Sequence, residues 1–279
     1  MKKHKICKIL LVILAIFLCV AFYELLGICV AYKKQPEVSN TTKKETKNGS
    51  WNECSENTER AVIIEKNPEA LLQRVRLIKN AKKEIILSTF AFQSDESGKL
   101  ILGALHDAAD RGVHIRLLVD GMESWIDMEG NPYFYGLSSH ENVEIKLYNK
   151  ANPLKPWKMM GRMHDKYLIA DGKTYILGGR NTYNYFLGDF PGHKNYDRDV
   201  LVVCDEPEKE NSVNQLLEYF ETIWEQEDSG YFHDNKKLAN RKSVKNAVLE
   251  LQNSYQKYFE ENKERICETD YTDETFETE

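Results

Sequence analysis

The sequence predicts an α/β fold in which a mixed, mostly parallel sheet carries helices on both faces, with a transmembrane helix in front of it. Three observations predict this. Ile9 to Tyr32 is apolar apart from Glu24 and follows Lys2, Lys3, Lys5 and Lys8, and about 20 apolar residues suffice to cross a bilayer. From Pro68 to Asp205, segments with apolar residues at helical spacing alternate with short strand-like runs. That is the pattern of β-α-β units, whose parallel strands need both sheet faces covered. With 279 residues, 42% of them hydrophobic, the chain is long enough to bury one sizeable core.

Residues 1–32 read as basic residues followed by a retained membrane anchor. A cleavable signal peptide would need an apolar run of about 7 to 15 residues and a small-residue cleavage site, and the sequence has neither. Glu24 is costly inside a span and calls for a helix end, a partner or a proton. Lys33, Lys34, Lys43, Lys44 and Lys47 nearly balance the lysines before the span, so no side of the membrane is assigned to the rest of the chain. The stretch "KKQPEVSNTTKKETKNGS" is polar and aperiodic, which makes 33–50 a linker.

The body is expected over 51–230. "PEALLQRVRLIKNA" sets Leu71, Leu72, Val75 and Ile78 on one helical face, "EIILSTFAF" reads as a buried strand, "SGKLILGALHDAADRG" as a helix closed by Gly112, and "VHIRLLVDG" as the next strand. Strands follow at "VEIKLYN", "KYLIAD", "TYILGG" and "DVLVVCD". Beyond Glu206, Leu216, Leu217, Phe220, Ile223 and Trp224 recur at helical spacing, core packing rather than a cofactor box. Residues 231–279 are expected as a C-terminal helix and an acidic tail, Glu268 to Glu279 holding six carboxylates and no base.

Charge and cysteine content narrow the function. Without residues 1–32 the chain has 34 basic and 43 acidic residues, a net charge of −9, which argues against general nucleic-acid binding. The balance reverses from Lys150 to Lys166, where Lys150, Lys155, Lys158, Arg162 and Lys166 stand against Asp165 alone. Cys7, Cys19 and Cys29 lie in or beside the span; Cys54, Cys204 and Cys267 have no metal-binding spacing. Cys204, in an apolar run, reads as a small core residue.

The segment "MHDKYLIADGKTYILGGRN" concentrates the chemistry. On a strand, side chains alternate, so His164 and Lys166 share one face and Asp165 takes the other. An imidazole beside an ammonium repels a metal cation and attracts an anion, which points to phosphate. Gly178 and Gly179 allow backbone amides a close approach, and the Asn181 side chain can donate to a nonbridging oxygen.

The full pattern, His-x-Lys, four residues, Asp, six residues, Gly-Gly-x-Asn, resembles the signature of the phospholipase D superfamily, and "GGRN" with "YNYF" behind it is most similar to the cardiolipin synthase branch. The resemblance extends over about Glu59 to Gln226. It implies a phospholipase D-like lobe, no metal and no organic cofactor, and a covalent phosphohistidine mechanism. The implied catalytic residues are His164, Lys166 and Asp171, with Asp171 supporting through local backbone hydrogen bonds. Lys166, Gly179 and Asn181 would bind phosphate. Asp199, with Asp197 as its rival, would orient the imidazole.

That family builds one site from two motifs, whereas of seven histidines here only His164 has a lysine two residues on. Three completions are open: a homodimer pairing His164 across a twofold axis, a partner supplying the second motif, or a shortened gene product. "KPWKMMGR", which sets Trp157 and two methionines among basic residues just before the motif, suits lipid headgroups. The expected function is phospholipase D-type phosphodiesterase or phosphatidyltransferase action on a phosphatidylglycerol-like phospholipid, with water as a competing acceptor, at the cell membrane behind a single N-terminal span. The alternatives are a nuclease of the same superfamily and a catalytically silent lipid-binding membrane protein.

Overall fold

The computed structural model describes residues 2–33, 40, 43–44, 59–158, 160–206, 211–233, 237–269 and 271. Most of the linker expected over 33–50, the first residues of the body with Cys54, and the acidic tail beyond Tyr271 lie outside the described residues. The chain forms two compact units, one joining the N-terminal helix to residues 151–162 and the other comprising 56–150 with 163–279.

In the first unit, α1 (Lys2–Lys33) is long and apolar enough to cross a membrane. The segment 151–162 turns through a short 3-10 helix, Pro156–Lys158, and the Tyr23 hydroxyl donates to the Leu154 carbonyl at 2.9 Å.

The second unit runs β1 (Glu59–Ile64), α2 (Asn67–Asn80), β2 (Glu84–Thr89), α3 (Glu96–Asp110), β3 (His114–Asp120), α4 (Gly121–Asp127), α5 (Pro132–Ser138) and β4 (Val143–Tyr148). After the excursion through 151–162 it continues with β5 (Lys166–Ala170), β6 (Thr174–Gly178), β7 (Asp199–Cys204), α6 (Ser212–Trp224), β8 (Ser229–Tyr231), α7 (Lys242–Glu261) and α8 (Lys263–Cys267). Eight strands form one sheet in the order β1-β7-β6-β5-β2-β3-β4-β8.

The sheet is mixed, as expected, but it is not mostly parallel. Only β2–β3 and β3–β4 pair in parallel; β1–β7, β7–β6, β6–β5, β5–β2 and β4–β8 are antiparallel. Helical crossovers enforce the parallel pairs, whereas a three-residue turn at Asp171–Lys173 makes β5 and β6 a hairpin. Strands β1 and β8, absent from the sequence reading, close the two edges; β1 has a half-exposed burial pattern and β8 is three residues long.

Helices cover both faces. Ile85, Leu87, Leu117, Leu168 and Leu201 pack with α2, α3 and α7 in the larger core, while Ile86, Leu118, Tyr167, Ile169 and Val202 pack with Val213, Phe220 and Trp224 of α6. Cys204 is fully buried in this second cluster. The C-terminal helix, expected outside the body, is part of it. A Cβ at Gly103 of α3 would lie 2.7 Å from the Leu251 carbonyl oxygen of α7, so the glycine lets the two helices approach closely and α7 completes the core.

Candidate active site

The segment leading into β5 is pinned before the strand begins. Asp120, fully buried at the end of β3, accepts from the Met122 and Glu123 amides at the start of α4 and, through its other oxygen, from the Met163 amide at 3.1 Å. His164 follows with its side chain exposed. Its Nδ1 lies 2.9 Å from the Lys166 Nζ, and that ammonium also donates to the His164 carbonyl at 2.7 Å. A charged ammonium only donates, so Nδ1 accepts and the ring proton resides on Nε2.

Phe90, just past β2, flanks the pair: its ring centroid is 4.6 Å from the imidazole centroid and 5.3 Å from the Lys166 Nζ. The neighbouring Ala91 amide donates to Asn181 Oδ1 at 3.2 Å, and Thr182 is laced to Ala91 and Gln93 by backbone bonds. The end of β2 thereby ties the Gly-Gly loop to the histidine. Gly178 and Gly179 are required by two carboxylates: a Cβ at Gly178 would lie 2.0 Å from Asp199 Oδ1, and one at Gly179 2.1 Å from Asp197 Oδ2. Lys166 is buried. Burial pushes its pKa below the usual lysine value, against the pull of Asp165 and Asp197.

Comparison with known proteins decides the family. The model described as "Cardiolipin synthase, PLD-like domain" matches residues 74–224, more than half of the chain. The chain is a member of this phospholipase D-like family. It is 30% identical over 212 residues to an uncharacterized protein of Helicobacter pylori, covering 71% of this chain and 39% of that one. It is 29% identical over 171 residues to cardiolipin synthase C of Escherichia coli, covering 56% and 34%. The chain thus spans about two fifths or less of the length of these relatives. Among solved structures, phosphatidylserine synthase of Haemophilus influenzae superposes with a TM-score of 0.50 at 18% identity, over 72% of this chain and 44% of that one, a likeness of fold.

In the phospholipase D-like lobe His164 and Lys166 meet directly, Asn181 is tied to Ala91 beside Phe90, and the carboxylates of Asp199 and Asp171 are engaged by other groups. Asp199 does not orient the imidazole. Its Oδ2 is held by Arg74 at 2.9 Å and Arg180 at 3.2 Å, and its buried Oδ1 has no hydrogen-bond partner. Arg180, also fully buried, donates to the Ile64 and Glu65 carbonyls and to Asn67 Oδ1. A carboxylate on the core face of β7 is thus neutralised by two guanidiniums. Asp197 is half-buried beside Gly179 and, after Asp165, favours the charged form of Lys166.

Asp171 is likewise engaged away from the imidazole. It sits at the opposite end of β5 from Lys166 with φ 55°, and its carboxylate accepts from the amides of Lys82, Lys83 and Glu84 at 2.7–3.2 Å. It ties the β5–β6 turn to the start of β2, the backbone support expected of it.

Asp120 and Phe90 were missed. Asp120 carried a signal, an acid between a strand and a helix start in "LLVDG", whereas nothing in "STFAF" distinguishes Phe90 from a core aromatic.

Proposed function

We propose that this protein is a membrane-anchored phospholipase D-type phosphodiesterase or phosphatidyltransferase of the cardiolipin synthase kind, acting on phosphatidylglycerol-like phospholipids through a phosphohistidine. The observation that carries the proposal is the exposed His164 imidazole 2.9 Å from the buried Lys166 ammonium, beside a loop that presents Gly179 and Asn181. The name of the E. coli relative and the net acidity of the body both favour lipid over nucleic acid.

A phosphodiester entering the site competes with Nδ1 for the Lys166 ammonium. Once Lys166 turns to the phosphate oxygens, the ring proton can reside on Nδ1, held by Asp197, and Nε2 becomes the nucleophile. Nε2 then attacks phosphorus in line, a P–N bond forms, and the P–O bond to the leaving alcohol breaks. A second histidine gives that oxygen its proton, then takes one from water or an acceptor alcohol, whose oxygen attacks phosphorus and expels Nε2. Lys166 and the Asn181 Nδ2 group stabilise the charge growing on the nonbridging oxygens. The second histidine is His164 of a second copy, paired across a twofold axis, or that of a partner protein. In this reading α1 holds the lobe at the cell membrane.

The test offers the full chain phosphatidylglycerol vesicles and, separately, single-stranded DNA at low salt. Formation of cardiolipin or phosphatidic acid, lost in His164→Asn, is the expected outcome. DNA cleavage without lipid turnover would overturn the substrate assignment in favour of a nuclease, and a monomer inert towards both would be the silent lipid-binding protein.

A further inference from the structure

The helix α1 is exposed along most of its length, with one exception. Ala21, Glu24, Gly27, Ile28 and Ala31 are wholly or partly covered, and their spacing of three and four residues makes them one stripe. The segment 151–162 of the same compact unit packs at this stripe. Besides the bond from Tyr23 to Leu154, a Cβ at Gly27 would lie 2.4 Å from Pro156 Cγ, so the loop comes as close to the helix as a glycine allows. Pro156 is buried by this contact.

The helix itself supplies a depth scale. At about 1.5 Å per residue, Gly27 lies about 9 Å and Tyr23 about 15 Å short of Lys33, where the apolar run ends. For a spanning α1 those positions are inside a leaflet rather than in water, because the hydrocarbon core is about 30 Å thick. The loop's composition matches that depth. Leu154 is 79% exposed, Met160 50% and Trp157 45%, and the charged residues of 151–162 are Lys155, Lys158 and Arg162, with no acid. Tryptophan favours the bilayer interface, lysine and arginine stems extend along apolar surface while their charges reach outward, and such charges are drawn to anionic lipid.

We infer that 151–162 is a second membrane contact, a loop inserted beside α1 into the headgroup and upper acyl layer of an anionic bilayer. The inference rests on the proposed reading of α1 as a membrane anchor. Its consequence for the chemistry follows from chain length alone. Arg162 precedes His164 by two residues, a reach of about 7 Å for extended chain, so a loop held among headgroups keeps the imidazole near the layer of lipid phosphates.

The test uses the full chain in phosphatidylglycerol-containing vesicles doped with a phospholipid bearing a photoactivatable diazirine on its acyl chain, the adducts being mapped by mass spectrometry without need of turnover. Adducts on both α1 and the Leu154–Met160 stretch are expected. Adducts on α1 alone overturn the loop assignment and leave the anchor standing; adducts on neither overturn both. In the L154E/W157E variant the loop adducts should fall about tenfold relative to those on α1 of the same molecule, a change of 1.4 kcal/mol in partitioning, and an unchanged ratio counts against the loop.

Discussion

At the N-terminal end of β5 an exposed imidazole and a buried ammonium lie 2.9 Å apart; at its C-terminal end Asp171 accepts from three backbone amides. One motif of eight residues thus spans two environments. At the histidine end polar groups meet each other across an open face, and at the aspartate end a carboxylate satisfies the backbone where a helix hands over to a strand. The same contrast recurs at the start of β7, where Asp197, just before the strand, lies beside Gly179 and Asp199, its first residue, is locked between Arg74 and Arg180. Proximity in sequence separates chemistry from architecture poorly; the partner atoms separate them well.

The sharpest way to break this contrast is at His164. His164→Asn should lower turnover about 10³-fold or more, as loss of a nucleophile does, while an exposed substitution leaves stability within about 0.5 kcal/mol. A variant with normal turnover would move the chemistry elsewhere; thermal denaturation alongside phospholipid turnover gives both readings. Asp197 and Asp199 should divide the two effects. Asp199→Ala leaves two buried guanidiniums uncompensated and should cost about 3–5 kcal/mol of stability. Asp197→Ala should leave the unfolding midpoint near wild type and lower kcat about 10²-fold, the scale of a mispositioned reacting group. Equal stability losses for both would erase the distinction drawn between them.

Asp171→Ala belongs with the architecture. Three backbone donors lose their acceptor and an alanine must hold a left-handed φ, so about 3 kcal/mol should be lost from unfolding in urea, with kcat of the folded protein within about twofold of wild type because no reacting group is touched. A kcat that collapses while stability holds would return Asp171 to the chemistry.

Much of this was legible in the sequence, and what was not has a common cause. Helical periodicity marked α2, α3 and α6 because it is a local property of a chain; the strand parity assumed for His164 and Lys166 holds only from Lys166, where β5 begins, and their contact is made by the segment before the strand. The orientation of β5 against β2 was not local: the register Ile85 to Ala170 joins residues 85 positions apart, and no periodicity records whether such partners run parallel. Arg74 lies in a segment that reads as an amphipathic helix whose apolar face excludes it, yet it is buried against an aspartate 125 residues away. Sequence reasoning therefore placed Asp199 ahead of its rival Asp197, since only the tertiary partners distinguish the two. Edge strand β1 escaped for a weaker reason, its half-exposed "ERAVII" lacking the continuous apolar run of a central strand.

The smallest expected effect is on pH dependence, and it tests the histidine end of β5 alone. Burial lowers the Lys166 pKa below 10.5 in the folded protein, so as pH rises the folded state loses this proton before the unfolded chain does. Just below pH 10.5 the unfolded state therefore binds more protons, and this residue's contribution to stability rises with pH through that window. Activity should run the other way, because phosphate binding uses the charged ammonium: kcat/KM should show an alkaline limb below the pH at which an exposed lysine titrates. In Lys166→Arg the guanidinium stays charged, so the limb should move upward even though the compact point charge is lost and the plateau is lower. An alkaline limb that stays in place in the arginine variant would assign it to another group, and the 2.9 Å contact would then position the ring without contributing charge to the reaction.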